Sequence, residues 1–174
     1  MIGRGLKKCW GEMNFKQFLE SFEPKILYVV RGLPRSGKTK RAYELLSKKG
    51  GSDDHIFSTS KEPTAGHRSN FEAFKYAIDN GLTPIILDND HLNWGSMADY
   101  VRYADKAEYE IKLEEPSWKE WGKHRQFLKD RNERHLPKLV DTLVKNGATK
   151  NGVENAIKQW QEISLKEKLE PKKK

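Results

Sequence analysis

Cysteine is nearly absent from this chain: Cys9 stands alone among 174 residues. An intramolecular disulfide is therefore excluded, and the chain suits a reducing compartment. Long apolar runs are missing too. None approaches the roughly 18–20 residues that a membrane-crossing helix needs. Arg4, Lys7 and Lys8 lie near the start but no long apolar stretch comes after them, so this end does not read as a secretory signal. No internal repeat occurs, and no low-complexity segment before the last few residues. These absences predict a cytoplasmic protein, with the nucleus open through the basic end Lys172-Lys173-Lys174.

What the chain does hold is charge. Charged residues make up 33% of it, hydrophobic residues 36%, and the net charge is +8. One domain with a real core fits that length, its polar excess lying on helix faces and at the termini. A positive balance favours polyanions, because cations bound along phosphates release counterions. Much of the excess sits at residues 166–174, however, where a solvated tail explains it equally.

The informative stretch begins at Ile26. A β-branched and aromatic run, Ile26-Leu-Tyr-Val-Val30, ends at Arg31 and passes directly into Gly32-Leu33-Pro34-Arg35-Ser36-Gly37-Lys38-Thr39. A helix-compatible segment, residues 40–48, comes next. This is the phosphate-binding P-loop pattern between a strand and a helix start. Gly32 and Gly37 permit dihedrals that a Cβ forbids, so successive N–H groups turn inward on phosphate oxygens. The helix start adds unpaired N–H groups and its positive dipole end. Lys38 is placed to reach the β/γ-phosphates and the Thr39 hydroxyl to bind Mg²⁺. The expected ligands are thus a nucleoside triphosphate, ATP or GTP, with Mg²⁺.

The rest of the chain alternates strands with helices. Residues 1–24 read as an extension in which Phe15, Phe18, Leu19 and Phe22 share a helical face, ended by Pro24. Residues 53–58 read as a second strand. Ser69 and Glu72 form a capping box for a helix carrying Phe71, Phe74, Ala77 and Ile78 inward, with Gly81 as its stop. Residues 83–88 are continuously apolar up to Asp88, as a central parallel strand requires. Residues 97–106 fit a helix, 109–113 an edge strand, and Ser117 with Glu120 a second capping box for a charged helix running towards Arg134. Pro137 starts another helix, and residues 151–169 read as the last. The result is an α/β, three-layer sandwich with a mainly parallel sheet, in which ligands gather at the C-terminal strand ends. Its divisions are an extension (1–24), a kinase-like domain (25–147), and a C-terminal helix with basic tail (148–174).

At that sheet edge Asp88 is the carboxylate expected to hold Mg²⁺, directly or through water. Asp90 and His91 point to the same region, and Asn93 caps the segment after it. Arg131 and Arg134 are candidate lid cations that stabilise charge developing on the transferred phosphoryl group; a solvated helix face accounts for each singly as well. Lys61, Arg68, Lys123 and Arg125 are candidates to hold a nucleic-acid strand, and Trp94 or Trp118 to stack on a base.

Four blocks carry a resemblance: residues 31–39, Pro84-Ile-Ile-Leu-Asp-Asn-Asp-His-Leu-Asn93, Glu114-Glu-Pro-Ser-Trp118, and Arg131-Asn132. Together they resemble the polynucleotide-kinase-like P-loop group. That group includes the phage polynucleotide kinase domain, the N-terminal domain of myelin cyclic nucleotide phosphodiesterase, and small P-loop proteins named as partners of Nedd-type ubiquitin ligases. The resemblance covers residues 25–144. It implies an adenylate-kinase-like P-loop fold, ATP with Mg²⁺, and phosphoryl transfer to a nucleic-acid 5′-hydroxyl or related nucleotide hydroxyl. It carries phosphate binding onto Gly37, Lys38 and Thr39, the site carboxylate onto Asp88, and a lid arginine onto Arg131. The chain departs from the group where Ser58-Thr59-Ser60-Lys61 replaces a pattern whose Asp is the general base, and where Arg35 replaces Gly. The segment from there to Gly81 is also shorter. Glu62, Asp88 and Asp90 remain as candidate bases, and spacing does not choose among them. The alternatives are a nucleotide-binding adaptor or switch lacking the kinase base, and a kinase for a nucleoside or other small metabolite.

Overall fold

The computed structural model describes residues 24–58 and 66–169. The expected N-terminal amphipathic helix, Ser60 with its neighbours through Glu62, and the last five residues of the basic tail lie outside that range. Strand β1 (Ile26–Val30) is buried along its whole length. It is the inner strand between β3 (Ile85–Asp88) and β4 (Glu110–Glu114), pairing parallel with both. β2 (Ile56–Phe57) pairs parallel with β3, so the order is β2-β3-β1-β4. The sheet is all-parallel, flanked by helices, and consistent with a P-loop NTPase-like three-layer sandwich.

The two-residue period of β1 divides the interior. Leu27 and Val29 join Ile85 and Leu87 in one core, under Phe74, Ala77 and Ile78 of α2 (Gly66–Asp79) and Tyr100, Val101 and Ala104 of α3 (Ala98–Lys106). Ile26, Tyr28 and Val30 face the other way, against Ala42, Leu45 and Leu46 of α1 (Lys38–Lys49). A third core lies beside the glycine loop. It joins Leu33 and Leu92 to α4 (Trp121–Lys129), α5 (Leu136–Lys145) and α6 (Lys150–Gln159), with Trp160 fully enclosed. Residues on both sides of position 147 share this core, so α6 packs as part of the same body as the loop.

Several boundaries differ from expectation. Only Ile56 and Phe57 of the segment 53–58 are strand; Asp53–His55 is a 3₁₀ turn in which the Ser52 hydroxyl bonds the Asp54 carboxylate. Short polar side chains that bond locally compete with the ladder. α2 starts at Gly66, which leaves Ser69 inside the helix and not at its cap. Ser117 caps nothing either: its hydroxyl donates to Glu44 Oε2 at 2.8 Å, and α4 begins only at Trp121. α4 also ends at Lys129, and Arg131 turns the chain with a left-handed φ of 50°. The last helix is two: α6 stops at Gln159, and α7 (Leu165–Leu169) comes after an extended link. Gln161 N donates to Leu92 O at 2.8 Å there, a tertiary bond that replaces helix continuation.

Candidate functional site

The C-terminal ends of β1 and β3 bring together residues 32–39 and 88–93, and the link after β4 lays Trp118 beside them. The loop is tight because its backbone closes on itself. Ser36 N donates to Leu33 O at 3.1 Å, and Arg35 and Gly37 take φ values of 58° and 94°. Gly37 is the residue from which α1 starts. A side chain at Gly32 has no room, since a Cβ there would lie 2.6 Å from Ser36 Oγ. That Oγ is buried and has no partner among the described residues. Leu33 is fully buried in the third core, so its side chain anchors the loop. Arg35 is exposed, and its Nε lies 4.0 Å from a Cβ built on Gly147, in the α5–α6 turn.

Thr39 Oγ1 donates to Asp88 Oδ2 at 2.7 Å. Asp88 is buried at the end of β3, and Thr39 stands in the first turn of α1. This pair of hard oxygen donors beside a helix N-terminus fits Mg²⁺, which binds through one or two protein oxygens and retains waters or phosphate oxygens. Lys38 folds back over the loop. Its Nζ donates to Leu33 O at 2.9 Å and pairs with Asp90 Oδ1 at 2.9 Å. Asp90 in turn supports the loop through its carbonyl, which accepts from Gly32 N at 3.2 Å. His91, next in the chain, is buried at φ 43° with Nδ1 3.3 Å from Ser96 O. Burial pushes its imidazole down to about 4, against the opposing pull of the Ser96 carbonyl and Asp90. Asn93 caps the turn at 94–96 as expected, its Oδ1 accepting from Ser96 N.

Two residues matter here in ways that sequence reading missed. The Trp118 indole Nε1 donates to Ser36 O at 2.6 Å, and its ring lies against Gly37. The tryptophan therefore braces the loop. Arg31, the residue before Gly32, is buried, and its guanidinium lies 4.1 Å from the Trp160 ring centroid. It donates to Leu92 O and, at 2.7 Å, to Gln161 O. Desolvation holds Arg31 below its ordinary pKa, and the charges of Glu115 and Glu162 offset part of that. A charged residue ending an otherwise buried strand was the available signal.

Of the two arginines expected over the phosphates, Arg131 has its guanidinium on backbone carbonyls. Arg131 Nη1 and Nη2 donate to Ile157 O and Trp160 O at 2.8 and 2.7 Å, closing the C-terminal end of α6. Arg134 is exposed in the turn before α5, its backbone N donating to Asn132 Oδ1. Arg125 is engaged by Glu115 and Glu162. Among the described residues no group of three or more His, Cys, Asp or Glu could hold a metal ion by itself. No described helix is long and apolar enough to cross a membrane.

No family model matches the chain. Over 112 residues it is 30% identical to human NEDD4-binding protein 2, an alignment that takes in 57% of this chain and 6% of that protein. The chain thus spans a small fraction of that relative's length. This limited likeness and the parallel α/β fold are compatible with a nucleotide-binding P-loop protein.

Proposed function

We propose that the loop 32–39 binds ATP, or GTP, with Mg²⁺, and that the chain moves the γ-phosphoryl group to a nucleic-acid 5′-hydroxyl or a related nucleotide hydroxyl. The observation that carries this reading is the 2.7 Å bond from Thr39 Oγ1 to Asp88 Oδ2 at the start of α1. The pair stands beside a loop that a Cβ at Gly32 would fill. Thr39 and Asp88 would hold Mg²⁺, which when bound neutralises charge on the β- and γ-phosphates. The loop N–H groups and the α1 dipole hold the phosphates in place. Lys38 leaves Leu33 O and Asp90 to meet the β/γ-phosphates. The acceptor hydroxyl gives its proton to a carboxylate, for which Glu62, Asp88 and Asp90 are the candidates. Its oxygen bonds to the γ-phosphorus as the bridging P–O bond breaks and the nucleoside diphosphate leaves. Arg131 would join the site only by giving up its two carbonyl partners.

A second reading is a nucleotide-binding adaptor or switch that transfers nothing. The position of Arg131 on the end of α6 favours it, because that leaves the transferred group without this cation. The relative's name describes a protein that binds NEDD4, and a partner protein of that kind belongs to this reading. One assay separates the two: γ-labelled ATP, Mg²⁺ and a 5′-hydroxyl oligonucleotide, with wild type beside Lys38→Ala and Ser60→Asp. The first reading expects label transfer that falls by about 100-fold or more in Lys38→Ala. No transfer by wild type, with nucleotide binding intact, leaves the adaptor; a gain in Ser60→Asp would identify a scaffold lacking only its base.

A further inference from the structure

Beside the phosphate loop, under the segment that continues from β3, lies a cavity of about 270 Å³. Asn89, Asp90, His91, Asn93, Ser96 and Tyr100 contribute most of its polar lining. Its volume lies just below the roughly 300–1,000 Å³ of pockets for drug-sized ligands. Two groups there have unused bonding capacity. The Tyr100 hydroxyl accepts from Asn70 Nδ2 at 3.3 Å, so its own hydrogen remains to be donated. Asp90 gives Lys38 one carboxylate oxygen, Oδ1, and its side chain is 52% exposed.

The charges choose the ligand. Among the described residues no lysine or arginine lines the cavity, and its one formal charge, Asp90, is paired with Lys38 Nζ at 2.9 Å. Once Lys38 moves to a phosphate that carboxylate is uncompensated and disfavours an anion beside it. Phenol, amides and a carboxylate are together matched to alcohols. The cavity is also tied to the nucleotide loop through one cation. Lys38 spends two of its three N–H donors on Leu33 O and Asp90, and a shift of its ammonium onto a phosphate takes that cation away from the Asp90 carboxylate.

We propose that this cavity seats a small uncharged hydroxyl compound of nucleoside or monosaccharide size, whose hydroxyl takes the place of Lys38 on Asp90 when nucleotide binds. The proposal rests on the reading of residues 32–39 as a nucleotide site and departs from it in the acceptor, a small neutral alcohol in place of a nucleic acid. Nucleotide binding then prepares the acceptor pocket, and by linkage the acceptor strengthens nucleotide binding by the same factor.

Calorimetric titration of the full chain tests this. The probes are the four ribonucleosides, ribose and glucose, each with and without Mg²⁺ and an ATP analogue with a non-hydrolysable β–γ bridge. A 5′-hydroxyl oligonucleotide forms a further arm. The expected result is binding of a nucleoside or a sugar, about tenfold tighter with nucleotide present. Asp90→Asn should remove most of that gain. Tyr100→Phe, which keeps the buried ring, should weaken the neutral ligand several-fold and serves if Asp90→Asn does not fold. The proposal is overturned if nucleotide binds and no neutral probe does, if only the oligonucleotide binds, or if affinity is indifferent to nucleotide. Titrating the ATP analogue alone reports on the nucleotide site separately; failure there overturns both.

Discussion

Lys38, Thr39, Asp88 and Asp90 are joined in two pairs at the start of α1. Asp88 ends β3 and Asp90 lies two residues beyond, and each holds a group from the first turn of α1: Asp88 the threonine hydroxyl, Asp90 the lysine. His91, next to them, is a buried imidazole whose effect on stability has a definite sign. Burial lowers it from 6.5 to about 4. Between those values the unfolded chain binds more protons than the folded one, so stability rises with pH. The contribution is complete above about pH 6.5 and is lost as pH falls towards 4, amounting to about 3 kcal/mol. Denaturant unfolding from pH 7 to 4 should therefore show a steeper loss for wild type than for His91→Asn. Asparagine tolerates the left-handed φ of 43° at this position. Parallel curves for the two proteins would remove the assignment.

At the scale of elements, the glycine loop is held from three sides: its own backbone, Leu33 in the third core, and Trp118 through the Ser36 carbonyl. The segment after α6 is fastened to the same region. Arg31 and Leu92 hold Gln161, while Arg131 takes the carbonyls of Ile157 and Trp160. Cations at a helix C-terminus satisfy carbonyls that have no helical donor. Arg131→Ala should cost about 1–3 kcal/mol, read by thermal or denaturant unfolding, because two charge-assisted bonds are lost. If Arg131 acts only as this clasp, nucleotide affinity measured well below the transition stays at the wild-type value. A large loss of transfer rate at unchanged stability would instead return it to the phosphates.

For the whole molecule, the decisive feature is that α6 completes a core shared with the glycine loop. Val153, Ala156, Ile157 and Trp160 lie against Leu33, Leu128, Leu139 and Leu143. A chain stopped after residue 147 loses all four of those side chains and should show no cooperative unfolding transition by circular dichroism. Trp160→Ala alone should cost about 3–5 kcal/mol, as buried tryptophan truncations do. The Arg31 guanidinium would also lose the ring beneath it. A stable, cooperative 1–147 chain would mean that α6 is an appendage.

The sequence alone determined the strand–loop–helix unit at 26–49, the parallel sheet and the inward faces of most helices. Each of these depends on near neighbours: a β-branched run, glycines at left-handed positions, and apolar residues at helical spacing. Asp88 was legible for the same reason, as the polar end of an apolar strand. Helix ends were not. Ser69 and Ser117 carry capping-box spacing, yet one lies inside a helix and the other bonds Glu44 across the fold. A cap is one local bond and is readily displaced by a tertiary partner. Only the tertiary structure decided what Arg31, Trp118 and Arg131 do, and that Lys38 rests on Asp90. Those contacts join groups from 26 to 130 residues apart, or depend on which rotamer a long side chain takes. Spacing along the chain carries no record of either.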